Sequence, residues 1–274
     1  MKITASQVNE LRKKTGSGMM DCKKALVETN GDMDAAIDVL RKKGQKVAAK
    51  RQDRETSEGL VFAKISDDSK KGVLLVLGCE TDFVAKNEGY VNLTNSFLDI
   101  AMANNPADLA EFKAMKYDEA LTVEEKITEQ IGVIGEKLVL GYEVVNAEYV
   151  YAYNHPGNQI ATIVGLSKEG DFKEVALNVA LQITSMVPLA LTKEDISEEV
   201  IAKEIEIGKD LAIQEGKPAE MAEKIAMGRL NKFFKENTLL NQMMFNDNKK
   251  SVTQYLQAAD KDLTVTSFKR ISLN

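Results

Sequence analysis

The stretch Val73-Leu74-Leu75-Val76-Leu77-Gly78-Cys79-Glu80-Thr81-Asp82-Phe83-Val84-Ala85-Lys86-Asn87 passes from a continuous apolar run into polar ground within a few residues. Five apolar residues in succession read as a buried strand, and a helical pattern begins near Glu88. Asp82 and Phe83 therefore sit side by side where a strand hands over to a helix. Two readings of that junction stand. In one, Thr81 or Asp82 caps a helix and Phe83 is a hydrophobic staple into the core. In the other, the junction is a functional loop on a rigid scaffold that inserts an apolar wedge and a charge into a partner together. The local pattern favours the capped start, and the rest of the chain bears on the choice.

Upstream, Val61, Ala63 and Ile65 alternate with Leu60, Phe62 and Lys64, and Asp67-Asp68-Ser69-Lys70-Lys71-Gly72 is turn chemistry. The two apolar runs thus form a hairpin. The first 50 residues read as three short helices. Thr4 and Gln7 have capping-box spacing, with Val8 and Leu11 on one face. Thr15-Gly16-Ser17-Gly18 is a turn, and a second helix runs from about Gly18 to Glu28 with Met19, Cys22, Ala25 and Leu26 inside. Asn30-Gly31 stops it, and Asp32 caps a third helix carrying Met33, Ala36, Ile37 and Leu40. Residues 45–56 read as a partly helical linker.

Downstream, Leu93, Phe97 and Ile100 mark a helix that closes at Asn104-Asn105-Pro106. Thr122 and Glu125 form a second capping box, followed by the stripe Val123, Ile127, Ile131 and Ile134 and a strand from Leu138 to Val145. The plan then recurs: strand Tyr149 to Tyr153, turn His155 to Asn158, strand Ile160 to Leu166, helix from about Phe172 to Met186. Two helices of about 20 residues follow, each about 30 Å long. They bear the apolar positions Ile196, Val200, Ile205, Leu211 and Ala212, then Met221, Ile225, Leu230 and Phe233. The break at Gly216-Lys217-Pro218 makes them antiparallel. A helix boxed by Ser251 and Gln254, with Val252, Tyr255 and Leu256 inside, and a strand from Thr264 to Ile271 end the pattern. The fold class is α+β. The expected division is a three-helix N-terminal domain over 1–51, a core N-subdomain over 52–143, a similar core C-subdomain from 144–191 and 238–274, and an inserted helical hairpin over 192–237.

The 274 residues are 44% hydrophobic and 28% charged, ordinary for a soluble globular protein. No apolar run approaches the ~20 residues of a membrane span, and the N-terminus lacks a signal-peptide core, so cytoplasm is the expected location. Cys22 and Cys79 give neither metal spacing nor a disulfide framework. Of the net charge of −6, residues 1–51 contribute 12 Lys and Arg against 6 Asp and Glu, a basic head on an acidic body. Six basic residues between Arg41 and Arg51 leave open contact with nucleic acid, an acidic protein face or solvent. The lone His155 lies in a turn, and no nucleophile elbow, phosphate-binding loop or dinucleotide fingerprint is present. An interaction protein is therefore expected rather than an enzyme, with no cofactor and no metal.

Three stretches together resemble one family. Leu11-Arg12-Lys13-Lys14-Thr15-Gly16-Ser17-Gly18-Met19-Met20-Asp21-Cys22-Lys23-Lys24-Ala25-Leu26 is similar to the N-terminal signature of the bacterial elongation factor Ts family. Thr81-Asp82-Phe83-Val84-Ala85-Lys86-Asn87 resembles its second signature, and Glu215-Gly216-Lys217-Pro218 with Glu223-Lys224-Ile225 and Gly228-Arg229 its helical hairpin. The resemblance covers essentially the whole chain. It implies a guanine-nucleotide exchange factor for elongation factor Tu, with a ubiquitin-associated-like fold over 1–51. It further implies that Thr81, Asp82, Phe83 and Val84 wedge into the partner near its Mg²⁺ and phosphate site, and that Arg12, Met19 and Met20 touch a partner helix. Two adjacent methionines on one helix cannot share a side, so at least one is expected on the surface. Gln182 stands where some members carry a His, and is expected as a further partner contact. Some members dimerise through the hairpin, which leaves a homodimer through 192–237 open here. Some also continue past the last strand with a C-terminal helix; this sequence stops at Asn274, so that contact is expected to be missing. No membrane and no direct nucleic-acid partner is expected. The alternative is a ribosome- or RNA-associated factor using the basic N-terminus.

Overall fold

The apolar run Val73–Leu77 is buried on both faces, which is why it shows no alternation in the sequence. The structure, a computed structural model, describes residues 3–273, with the backbone alone at Ala219. Its strands are β1 (Glu58–Ile65), β2 (Lys71–Cys79), β3 (Val139–Asn146), β4 (Tyr149–Asn154), β5 (Ile160–Leu166), β6 (Met243–Met244), β7 (Asp247–Ser251) and β8 (Val265–Ser272). β1 and β2 form the expected antiparallel hairpin, with Val61 opposite Val76 and Ile65 opposite Gly72. β3 adds to the other edge of β2 with Leu77 opposite Leu140, giving the order β1-β2-β3. The second sheet repeats the scheme as β4-β5-β8, its last strand arriving from the far end of the chain. The small ribbon β6-β7 stands apart.

The helices are α1 (Ala5–Thr15), α2 (Met19–Glu28), α3 (Met33–Lys50), α4 (Asp82–Ala85), α5 (Glu88–Asn104), α6 (Leu109–Ala114), α7 (Val123–Ile134), α8 (Lys173–Met186), α9 (Glu198–Gln214), α10 (Ala219–Asn237) and α11 (Val252–Ala259). Val73, Leu75 and Leu77 turn towards α5 and α7, where they meet Tyr90, Phe97 and Ile131. Leu74 points the other way and joins Val61, Val150 and Ile163 between the two sheets. Beyond the second sheet, Val164 and Leu166 pack on Ala176, Val179 and Ile183 of α8 and Leu256 of α11. The mixture of helix and sheet is thus layered as helix, sheet, sheet, helix. Each fully buried Val or Leu contributes about 1.5–3 kcal/mol. The outer edge of β1 is closed by a side chain: Ala63 N donates to Asn154 Oδ1 at 2.7 Å, and Asn154 Nδ2 donates to Ala63 O at 2.9 Å. That amide occupies groups which would otherwise offer a pairing edge.

The caps sit where the sequence signals place them. Thr4 with Gln7, Thr122 with Glu125 and Ser251 with Gln254 each form a capping box. One expectation holds and one is corrected. Residues 45–56 are partly helical, as expected: α3 continues without a break to Lys50, and turn and irregular residues then lead to β1. Gly44 sits where α3 crosses α7 so closely that a Cβ there would lie 2.7 Å from the Thr128 carbonyl oxygen. One on Gly132 would lie 2.7 Å from the Gly44 Cα. In the hairpin of α9 and α10, Leu211 and Met221 are exposed rather than inside. The seam is made by the small residues Gly208, Ala212, Ala222 and Ala226, closed by Leu230. A Cβ on Gly208 would approach the Ala226 Cα to 3.1 Å, so the helices lie too close for large side chains between them. Arg229 to Glu215 at 2.7 Å and Lys209 to Glu223 at 3.3 Å bridge the pair.

The α3–α7 crossing yields a test. Alanine is favoured over glycine in a helix by about 1 kcal/mol, whereas overpacking against backbone costs about 1–3 kcal/mol. Gly44→Ala is therefore expected to lower stability in urea-induced unfolding. A variant as stable as the parent or more so contradicts the close crossing.

Candidate partner-binding site

β2 ends at Cys79, and within three residues the chain must leave a sheet and begin a helix. The backbone groups released from the ladder need new partners at that point. Glu136, just past the α7 C-cap Gly135, supplies them: Glu80 N and Thr81 N donate to Glu136 Oε2 at 3.0 and 3.1 Å, and Thr81 Oγ1 donates to Glu136 Oε1 at 2.7 Å. With its proton committed there, the Thr81 hydroxyl caps α4 by accepting from Val84 N at 3.4 Å. Glu80 returns the favour by accepting from Lys137 N at 2.7 Å, and one Nη of Arg51 lies 2.8 and 2.7 Å from its two oxygens. The Lys137 amide first, and Arg51 with it, holds the Glu80 carboxyl below the usual range. Beneath the turn, the buried Cys79 thiol donates to Thr81 O at 3.2 Å, and burial pushes it up to about 11.

This scaffold leaves its next residue outside. Phe83 is 83% exposed, the most exposed of the large apolar side chains described, so it is not the staple that local pattern favoured. Ala85 is buried and Val84 packs on the helix-side core; these two do the anchoring. Asp82 pairs with Lys86 at 2.6 Å, a bond that holds its carboxyl below the ordinary value. Asn87 then caps α5 by accepting from Gly89 N at 2.8 Å. The capped start holds for Thr81, while Phe83 projects outward and does not pack inward.

Phe83 forms one rim of a groove of about 470 Å³ that also contains Val84, Tyr90, Leu93 and Val133. Its lining includes Gly16, from the turn between α1 and α2. The two sequence signatures thus meet across one depression. Arg12 lies exposed just before that turn, and Met19 and Met20 just after it, 54% and 63% exposed. The expectation of at least one exposed methionine is exceeded, and Met19 does not belong to the inner side of α2. That side is Cys22, Ala25 and Leu26.

Gln182 is a correction. It is fully buried in α8, remote in the fold from the groove, and cannot present its amide to a partner as expected. Its Nε2 donates to Gln242 Oε1 at 3.0 Å and to Met243 O at 3.1 Å, and its Oε1 accepts from Phe245 N at 2.7 Å. The side chain holds a corner on which Met243 and Phe245 are exposed. Sequence reasoning could not find this, because the partners lie about 60 residues further along the chain. Arg51 and Glu136 were missed for the same reason; the one available signal was an acid directly after a helix-ending glycine. His155 has its Nδ1 2.9 Å from Tyr153 Oη on the surface. Among the described residues no cluster of His, Cys, Asp and Glu could hold a metal ion, and no helix is long and apolar enough to cross a membrane.

The family model described as Elongation factor TS matches residues 80–274. The chain is 51% identical over 274 residues to Elongation factor Ts of Christiangramia forsetii, with 99% of each chain covered. It is 47% identical to that of Amoebophilus asiaticus, again with 99% of each covered. Identity to the Porphyromonas gingivalis protein of the same name is 42%, covering 100% of this chain and 99% of the relative. The chain belongs to the elongation factor Ts family.

Two tests follow from the site's geometry. Gln182→Ala removes the acceptor of the Phe245 amide and the donor to Gln242 Oε1 and is expected to cost about 1–3 kcal/mol, read from denaturant midpoints. A surface role without structural consequence would leave the midpoint unmoved. Because its raised pKa keeps the buried Cys79 protonated at pH 8, the native protein is expected to resist iodoacetamide at this residue, while the unfolded chain reacts. Equal alkylation of both states is the contrary result.

Proposed function

We propose that this chain is a guanine-nucleotide exchange factor for elongation factor Tu in translation elongation, acting in the cytoplasm without covalent chemistry or a cofactor of its own. The observation that carries the reading is Phe83, 83% exposed beside Asp82 on a turn anchored from below, in a chain of the elongation factor Ts family. A GTPase holds GDP through Mg²⁺ and backbone groups around the phosphates. In this reading Phe83, flanked by Thr81, Asp82 and Val84, enters the GTPase domain and disturbs that site, while Arg12, Met19 and Met20 make the second contact. A factor that binds the opened state better shifts the population towards it. The coupling is reciprocal: as much as the factor weakens the nucleotide, the nucleotide weakens the factor, and incoming GTP displaces it. Residues 1–51 serve as the docking module, 52–143 carry the wedge, and 144–191 with 238–274 form the second half of the core. The hairpin of 192–237 is the surface available to a second copy of the chain.

The RNA-binding alternative has less behind it. The groove between α2 and α3 carries Lys24, Lys42, Lys43 and Lys46, but Asp21 and Glu28 line it too, and Lys43 is paired with Asp21 at 2.6 Å.

The test is release of a fluorescent GDP from elongation factor Tu with and without this protein. Burying a Phe side chain is worth about 1.5–3 kcal/mol, about ten- to a hundredfold in an equilibrium or rate. Phe83→Ala is expected to slow factor-stimulated release by that range and Asp82→Ala by a smaller factor, with unfolding midpoints unchanged because neither side chain is buried. Wild-type exchange by the double variant would sink the wedge mechanism, and no stimulation by the parent chain would sink the exchange function.

A further inference from the structure

We propose that Glu136, with Thr81 and the Arg51–Glu80 pair, is a positioning assembly that presents Phe83 at a set orientation and ties it to the N-terminal helices. The inference rests on the exchange-factor reading and adds to it Glu136, Glu80 and Arg51, which act through the wedge turn and not by touching the partner. Three observations carry it. First, α4 has only four residues, too few to persist as a helix unaided, so its orientation comes from its anchors. Second, beside the apolar anchors Val84 and Ala85, one carboxylate holds the polar side of the turn. Glu136 accepts from two successive amides and a hydroxyl, and its grip on the Thr81 hydroxyl leaves that oxygen to cap α4. Only an acceptor-only group can take all three donors; a glutamine would turn an NH₂ towards one of them.

Third, the anchor is reciprocal and reaches α3. The Glu80 carboxylate accepts from the amide of Lys137 while Glu136 accepts from the amide of Glu80, so the two turns hold each other. Arg51, the C-cap of α3, closes on Glu80, and Lys137 Nζ donates to the carbonyls of Gln52 and Arg54 at 2.6 and 2.9 Å. The Gly44–Gly132 crossing fixes the other end of the same contact between α3 and α7. The wedge turn, the α7–β3 turn and the end of α3 are thereby one polar joint. A side chain presented in its bound geometry loses less freedom on binding, so the joint acts through preorganisation.

The test uses the full chain with Glu136→Gln, near-isosteric but no longer acceptor-only, and Thr81→Val as the independent second variant. Three quantities are read: GDP release from elongation factor Tu across a range of factor concentrations, amide hydrogen exchange over residues 80–85, and thermal unfolding. For Glu136→Gln the expected result is an approximately tenfold lower maximal release rate, with little change in the half-saturating concentration, since Arg12, Met19 and Met20 are untouched; Thr81→Val, itself in the wedge, lowers the same maximal rate. Protection at residues 81–84 falls while cooperative unfolding is retained. Thr81→Ser, which keeps the hydroxyl, stays within about twofold of the parent. Should Glu136→Gln fail to fold, Thr81→Val decides by the same criteria. Parent-like maximal rates in a folded variant overturn the positioning role and leave the exchange reading standing. A parent chain that does not stimulate GDP release overturns both.

Discussion

Burial of β2 on both faces is the constraint from which the rest of the molecule follows. Val73, Leu75 and Leu77 need helices over them, and Leu74 needs a second sheet behind it. A single hairpin with one covered face could not satisfy this strand, so two sheets are stacked and the outer face of each is closed by helices. β3 and β8 complete the arrangement by pairing to the second strand of each hairpin, which puts β2 and β5 in the middle of their sheets. The far ends of the chain are drawn in to supply layers that the local sequence cannot.

A strand so deeply buried cannot fray into solvent, and its exit must be made within a few residues. That abrupt exit generates the candidate site. Leaving the ladder at Cys79 orphans the next two amides, which Glu136 satisfies. The turn is then rigid enough to expose a phenylalanine that apolar contact would otherwise draw inward. The same burial that stabilises β2 thus makes a protruding aromatic tolerable, because the cost of exposing Phe83 is carried by a core that does not depend on it.

Much of this is legible in the residues alone. The period-two runs around Val61 and Val73, the three capping boxes, the glycine stops and the antiparallel helix pair correspond to local rules that operate over three to seven residues. The signatures around Arg12 to Met20 and Thr81 to Val84 mark the candidate residues, and the fold brings Gly16 of the first and Phe83 and Val84 of the second to one groove. What escapes such reading is non-local. That Gly44 and Gly132 lie against each other is set by the crossing of α3 and α7. Leu211 reads as interior until small residues close the helix seam. Gln182 reads as a surface group until Met243 and Phe245 fold over it.

By itself the sequence determined the main strands and helices, their order and the family, because capping, alternation and signature spacing are written in neighbouring residues; the short α4 and α6 and the β6–β7 ribbon were not legible there. Only the tertiary structure decided which way Phe83 points, that both Met19 and Met20 lie outside, and that an acid 55 residues away clamps Thr81. The physical reason is that a side chain's exposure and a carboxylate's partners depend on which segments meet in space. A backbone amide released from a sheet is satisfied by whichever acceptor the packing brings to it.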